Sequence, residues 1–184
     1  MRREMTTEDA EAVRRAQDGD PDAYEILVVR YTAPAHRLAY FLGAGADADD
    51  VVQEAFVKAY RALSRYRAGA PFLPWLLRIV ANETKNAVRG RKRREHLATR
   101  ALDLRPADEP YPQVAEAERR RALLAELRSM AGKDREILVC RYFLDLSEAE
   151  TATTLSLPVG TVKSRTSRAL AKLRARLDVE VLDA

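Results

Sequence analysis

The chain has a single cysteine, Cys140, in 184 residues, which excludes an internal disulfide framework and a cysteine-based zinc cluster. Its two histidines, His36 and His96, lack metal-ligand spacing with each other. Glycine is scarce, at seven residues, and none of it forms a phosphate-cradling loop or a nucleophile elbow. Catalytic constellations are therefore absent, and the chain reads as a binder with no metal and no cofactor. No apolar run approaches ~18 residues, so nothing spans a membrane. The opening stretch MRREMTTEDAEAV lacks the apolar segment of a secretory signal. A cytoplasmic protein is the expectation. Alternating Val/Ile/Thr runs are missing too, which leaves little room for strands.

What the chain does have is charge and helical periodicity. Apolar residues make up 47% and charged residues 33%, the balance of a globular chain and not a disordered one. The net charge is only +4, but it is unevenly spread. Lys85, Arg89, Arg91, Lys92, Arg93 and Arg94 crowd residues 85–94, and Lys163, Arg165, Arg168, Lys172, Arg174 and Arg176 crowd residues 161–176, both without an acid. Asp47, Asp49, Asp50 and Glu54 form an acidic segment without a cation. Two basic segments and one acidic one point to two contacts with a polyanion and one with something else, against the plainer reading of solvated helix faces.

A period near 3.6 predicts helices over residues 8–18, 22–43, 49–65, 71–90 and 92–100, then over 115–130, 134–144, 148–156 and 159–178. Between the two sets, Pro106, Pro110 and Pro112 stand among Asp103, Asp108 and Glu109. Proline removes donors and breaks helix, so this is a flexible acidic linker. The expectation is an all-α chain of two small helical domains, residues 1–100 and 115–184, joined by a linker at 101–114.

In the first domain, Val52, Ala55, Phe56, Ala59 and Leu63 share one helix face, with Asp50, Glu54, Val57 and Arg61 opposite and Gln53 at the edge. An apolar Val57 ringed by polar residues resembles a protein-contact patch, although isolated exposed valines are common. The next helix turns Phe72, Leu76, Ile79, Val80 and Ala87 inward and Arg78, Asn82, Lys85 and Arg89 outward. Cations for phosphates beside an amide for a base edge suit DNA. The preceding loop carries Arg65, Tyr66 and Arg67, and Tyr66 and Trp75 are candidates to stack on a base, with a core anchor preferred for Trp75. Glu83 projects to the apolar side, where an ion pair is its expected fate.

In the second domain, Ser147-Glu148-Ala149-Glu150 fits a capping box before a short helix. Leu157-Pro158-Val159-Gly160 then turns into a longer basic helix, a helix-turn-helix pattern. Val162, Thr166, Ala169, Leu170, Leu173 and Leu177 face inward. Ser164, Ser167, Arg168 and Ala171 face outward, flanked by Lys163 and Lys172. Small polar residues let such a helix approach base edges, where Arg168 and Lys163 can reach guanine or phosphate. Cys140, in an apolar stretch, is expected to pack and not to react.

The runs ADADDVVQEAFVKAYRAL (46–63) and RYRAGAPFLPWLLRIVANETKNAVRGRKRR (65–94) resemble region 2 of bacterial sigma factors. The run ILVCRYFLDLSEAETATTLSLPVGTVKSRTSRALAKLRARL (137–177) resembles region 4. With the motifs D-D-V-V-Q-E-x-F and P-V-G-T-V-K-S-R in order, the chain resembles the extracytoplasmic-function (ECF) group of the sigma-70 family. The resemblance implies a sigma factor that binds core RNA polymerase, through its clamp coiled coil and flap, and directs initiation at promoter DNA. It implies core-polymerase contacts at Asp50, Gln53, Glu54, Val57 and Arg61. It implies −10 contacts at Arg65, Tyr66, Arg67, Arg78, Asn82, Lys85, Arg89, Arg91 and Lys92. It implies −35 contacts at Thr161, Lys163, Ser164, Arg165, Ser167, Arg168 and Lys172. An anti-sigma partner is expected, able to hold the chain near the membrane, and a compact form, with the two domains packed together or on an inhibitor, is expected to mask the Asp50/Glu54 face. The acidic linker would thread towards the RNA exit path. The alternative is a helix-turn-helix regulator of LuxR-like output type, which residues 146–152 fit almost as well but residues 46–94 do not.

Overall fold

A computed structural model describes residues 7–67, 69–97 and 114–182. Among these residues the chain is all-helical: α1 (Thr7–Gln17), α2 (Pro21–Phe41), α3 (Ala48–Ala62), α4 (Phe72–Leu97), α5 (Val114–Ser129), α6 (Gly132–Leu138), α7 (Glu148–Leu155) and α8 (Val159–Leu182). Short 3₁₀ turns precede and follow α3, and one π turn, Val139–Phe143, follows α6. The expected linker and its acids lie outside the described residues.

Local chemistry sets the first boundaries. α1 stops at Gly19, whose φ of 95° is open to glycine at little cost. Asp20 then starts α2: its Oδ1 accepts from the backbone N–H groups of Asp22 (3.0 Å) and Ala23 (3.2 Å), and Pro21 occupies the first turn, where no N–H is needed. Leu27, Tyr31, Ala35 and Leu38 of α2 are buried at helical spacing. They share a core with Val52, Ala55, Phe56 and Ala59 of α3 and Phe72, Leu76 and Val80 of α4. Each fully buried leucine contributes about 1.5–3 kcal/mol relative to an exposed one. The Gln17 amide donates to the carbonyls of Leu63 (2.9 Å) and Tyr66 (3.0 Å), tying α1 to the end of α3.

The helices expected at 71–90 and 92–100 are one continuous α4, running through Gly90 to Leu97. A helix-interior glycine costs only about 1 kcal/mol relative to alanine. Beyond it the Arg91 guanidinium offsets that cost, donating to the carbonyls of Gly43 (2.6 Å) and Ala44 (2.8 Å) and pairing with Asp47 at 3.0 Å.

In the second half the capping box is present as expected: Glu150 N–H donates to Ser147 Oγ (3.2 Å) and Ser147 N–H to Glu150 Oε2 (2.7 Å). α7 ends on Ser156 in the left-handed region, φ 55°, and Pro158 opens the turn into α8. The helix expected over 134–144 is instead α6 followed by the π turn, where the Leu144 N–H reaches back to the Val139 carbonyl at 3.0 Å. Cys140, in that turn, is fully buried, and burial pushes its thiol up to about 12. It packs, as expected.

The two halves are packed together. α7 lies along α4, and the π turn meets α2. Phe41 and Phe143 stack with ring centroids 4.9 Å apart, and Arg37 donates to the Phe143 carbonyl at 3.2 Å. The Arg128 guanidinium sits 5.0 Å from the Tyr40 ring centroid and donates to the Tyr40 hydroxyl. Thr154 Oγ1 donates to the Pro74 carbonyl at 3.4 Å. Lys85 pairs with Glu136 at 3.0 Å.

Candidate polymerase and promoter surfaces

On α3 the inner stripe Val52, Ala55, Phe56 and Ala59 is buried, and the outer stripe is presented as the periodicity predicts. Asp50, Gln53, Glu54, Val57 and Arg61 are all exposed, with Val57 at 39% in the middle of the charged and amide groups. Beside them a largely apolar groove of about 790 Å³ runs between α2 and α3, lined among others by Tyr24, Val28, Phe56, Val57 and Tyr60. The Tyr24 hydroxyl donates to the Phe56 carbonyl at 2.6 Å, and its ring centroid is 4.9 Å from that of Tyr60. Burial raises the Tyr24 hydroxyl above its ordinary range, so it stays a donor. At the helix start His36 Nε2 lies 3.2 Å from Asp49.

A compact form with the two domains packed together is expected to mask Asp50 and Glu54, and here the structure corrects that expectation. The second half lies against α4 and the far end of α2, not against the outer face of α3, so both acids remain exposed with the halves together.

On α4, Arg78, Asn82, Arg89 and Lys92 are exposed along one side. Three other expected −10 contacts are placed differently. Lys85 is half-buried and engaged by Glu136 of α6. Arg91 turns inward onto the carbonyls of Gly43 and Ala44, in the turn just past the end of α2, and onto Asp47. Tyr66 is only 6% exposed, so it offers no open ring to a base. It packs against Phe72 and Trp75, with centroids at 5.8 and 4.9 Å, and its hydroxyl donates to the Ala70 carbonyl. Burial pushes that hydroxyl up to about 12. Tyr66 therefore shapes the loop from beneath, while Arg65 and Arg67 flank it at the surface. Trp75 is half-buried in the same aromatic cluster, the core-anchor role preferred for it.

On α8, Val162 and Ala169 are fully buried, fixing the helix rotation. Lys163, Ser164, Ser167, Arg168 and Lys172 are exposed, while Thr161 and Arg165 are half-buried at the edges. Arg168 Nε donates to the Ser164 carbonyl at 3.2 Å, holding its guanidinium along the helix. Lys172 pairs with Asp134 at 2.5 Å yet keeps 60% of its side chain exposed. Among the described residues no cluster of His, Cys, Asp and Glu could hold a metal ion, and no helix is long and apolar enough to cross a membrane.

Residues missed from the sequence are those that join the halves. Leu77, Ala81 and Thr84 are buried on α4 in addition to the expected inner face. Glu136, Arg128 and Phe143 meet partners far along the chain, up to 106 residues away for the Arg37–Phe143 bond, and no local pattern signals such contacts.

A capped helix-turn-helix with an exposed basic second helix, beside a second helical bundle with its own basic face and a separate acidic-apolar patch, is the make-up of a helical DNA-binding class of protein. Sigma-70 region 2 matches residues 27–94, and Sigma-70, region 4 matches residues 120–173. The ECF RNA polymerase sigma-E factor of Escherichia coli (strain K12) is 35% identical over 167 residues, covering 85% of this chain and 87% of that protein. The RNA polymerase sigma factor CnrH of Cupriavidus metallidurans is 36% identical over 190 residues, covering 96% and 98%. The solved structure of CnrH in complex with the cytosolic domain of CnrY superposes with a TM-score of 0.71 at 29% identity, covering 94% of this chain and 98% of that one. The chain belongs to the ECF group of the sigma-70 family and is a sigma factor. The match over residues 27–94 leaves the LuxR-like alternative without support.

Proposed function

We propose that this sigma factor docks core RNA polymerase through the outer face of α3 and reads promoter DNA with α4 and α8. The observation that carries this reading is the separation of surfaces: an exposed acid, amide and valine face on α3, and two exposed basic faces on other helices. Asp50, Gln53, Glu54, Val57 and Arg61 meet the clamp. Arg78, Asn82, Arg89 and Lys92, with Arg65 and Arg67 of the loop, meet the −10 element, and Tyr66 and Arg91 position them. Lys163, Ser164, Ser167 and Arg168 meet the −35 element, with Thr161, Arg165 and Lys172 at its margins. Holding both reading helices on one polymerase makes the second DNA contact intramolecular, so neither needs to bind strongly alone.

The packed arrangement is the resting form. It holds Lys85 on a carboxylate, in the place a DNA phosphate would take, while leaving the α3 face open to polymerase. Docking then precedes opening. The division into residues 1–100 and 115–184, with a linker between, allows the halves to part. The protein works in the cytoplasm and carries out no reaction of its own. A relative's solved complex with the cytosolic domain of CnrY supports an anti-sigma partner for this chain as well.

The test is run-off transcription on a genomic fragment library with purified core polymerase, with and without the protein. Discrete new start sites, lost in both Asp50→Ala/Glu54→Ala and Lys163→Ala/Arg168→Ala, are expected. No new starts, with DNA bound in the absence of core, would overturn the reading.

A further inference from the structure

We infer that Lys58 is a positioning residue through which polymerase docking on α3 sets the −10-reading helix α4. The inference rests on the docking and reading roles proposed above and adds a physical link between them. The Lys58 ammonium lies 2.6 Å from Glu83 Oε2 on α4 and 3.5 Å from Glu54 Oε1 on its own helix. The two carboxylates differ in setting. Glu83 is sheltered, with 16% of its side chain exposed, whereas Glu54 is 52% exposed within the docking face. Glu83 is also the residue next to Asn82, so a pull on it acts on the backbone of the reading helix. One cation is thus shared between an outer acid that a docking partner can take and an inner acid fixed to the DNA reader.

The sharing is unequal. The ammonium's pKa is raised above its ordinary value, first by the hydrogen bond to Glu83, with Glu54 adding less. Among the described residues Lys58 is the one cation at ion-pair distance from Glu83. A cation of the clamp that engages Glu54 removes the outer share, and the ammonium then belongs to Glu83 alone. The α3–α4 pairing tightens at the moment of docking. Such a bridge acts through charge at close range, where attraction falls with distance and is screened by solvent.

Three variants separate this role from a structural brace: Lys58→Met, Lys58→Arg, and the exchanged pair Lys58→Glu/Glu83→Lys. The exchanged pair restores a bridge between α3 and α4 but sets a second acid beside Glu54. Each is measured for thermal unfolding, for core binding by fluorescence anisotropy, and for open-complex formation with core on a duplex promoter and on the same promoter with a pre-melted −10 bubble. Lys58→Met is expected to lower open complexes on the duplex about fivefold, the scale of one partly exposed ion pair. The bubble template should recover them, and Lys58→Arg should behave as wild type. The exchanged pair should regain the wild-type unfolding temperature yet keep the duplex defect. Full recovery of duplex melting by the exchanged pair, or equal losses on duplex and bubble, would overturn the inference. Asp50→Ala run alongside keeps the outcomes apart: if it binds core as wild type does, the docking reading itself fails.

Discussion

The parting of the two halves that the proposed function calls for is open to direct perturbation at the polar and aromatic contacts between them. The triple variant Glu136→Gln, Arg128→Ala and Phe143→Ala removes the Lys85 ion pair, the Arg128 contact on Tyr40, and the ring contact on Phe41. Lys85 is 37% exposed, so solvent screening holds its pair to the surface range of about 0.2–1 kcal/mol. A partly exposed guanidinium over a ring contributes about 0.5–1 kcal/mol, and an aromatic pair about 0.5–1.5 kcal/mol beyond its buried area. Together they amount to about 2 kcal/mol, which shifts the closed-to-open ratio about thirtyfold. Small-angle scattering should report a larger radius of gyration for the variant than for wild type. Binding of a single-stranded −10 oligonucleotide should strengthen, because Lys85 no longer has a carboxylate to leave. Glu136→Gln alone should give part of that gain, and none of it in a Lys85→Met background. An unchanged radius together with unchanged oligonucleotide affinity would refute the picture of a latch over the −10 reader.

Cys140 should resist iodoacetamide in the native state at pH 8, since its thiol is fully buried and held protonated to about pH 12; modification should follow global unfolding by denaturant. The same shift makes stability pH-dependent. The unfolded thiol ionises near its ordinary value of 9.0 while the folded one keeps its proton, so stability falls between pH 9 and 12, at up to about 1.4 kcal/mol per unit. Cys140→Val should flatten that fall in urea titrations. Ser147→Ala, which removes the side-chain cap of α7, should cost about 1 kcal/mol in calorimetry. Lys163→Ala should weaken −35 binding across sequences and reduce the salt slope by about one, whereas Arg168→Ala should change which −35 bases are preferred in a selection experiment.

The sequence made α3 and α8 legible because each has a single partner-facing stripe that a 3.6-residue period reveals. Val57 and Ser167 are exposed, as the projection predicts. α4 was read less fully. Its stripe of Phe72, Leu76 and Val80 is visible, but Leu77, Ala81 and Thr84 are also buried, and the Pro74 carbonyl accepts from Thr154, 80 residues on. Arg91 looked like one more cation in a basic run. Composition cannot show that two carbonyls at a helix end wait for it. Tyr66 carried the same ambiguity as any tyrosine in a loop, and its neighbours Phe72 and Trp75 decided it. The Asp50/Glu54 face was correctly placed outside, yet its masking in a compact form was not, because only the packing direction of region 4 settles what a closed form covers.

The π turn at Val139–Phe143 has a consequence for how such a chain tolerates insertion and deletion. A π turn holds one residue more than the α turn it replaces, and each residue advances a helix by about 100°. Deleting a single residue between Val139 and Phe143 would let the turn relax to α-helix with Phe143 still facing Phe41, because an α turn covers about the same rotation with one residue fewer. The same deletion within α6 has no spare residue to draw on: it would swing everything beyond it by about 100°, and α7 would no longer lie along α4. The π turn is thus the one place in this stretch where a residue can be lost without shifting one half of the protein against the other.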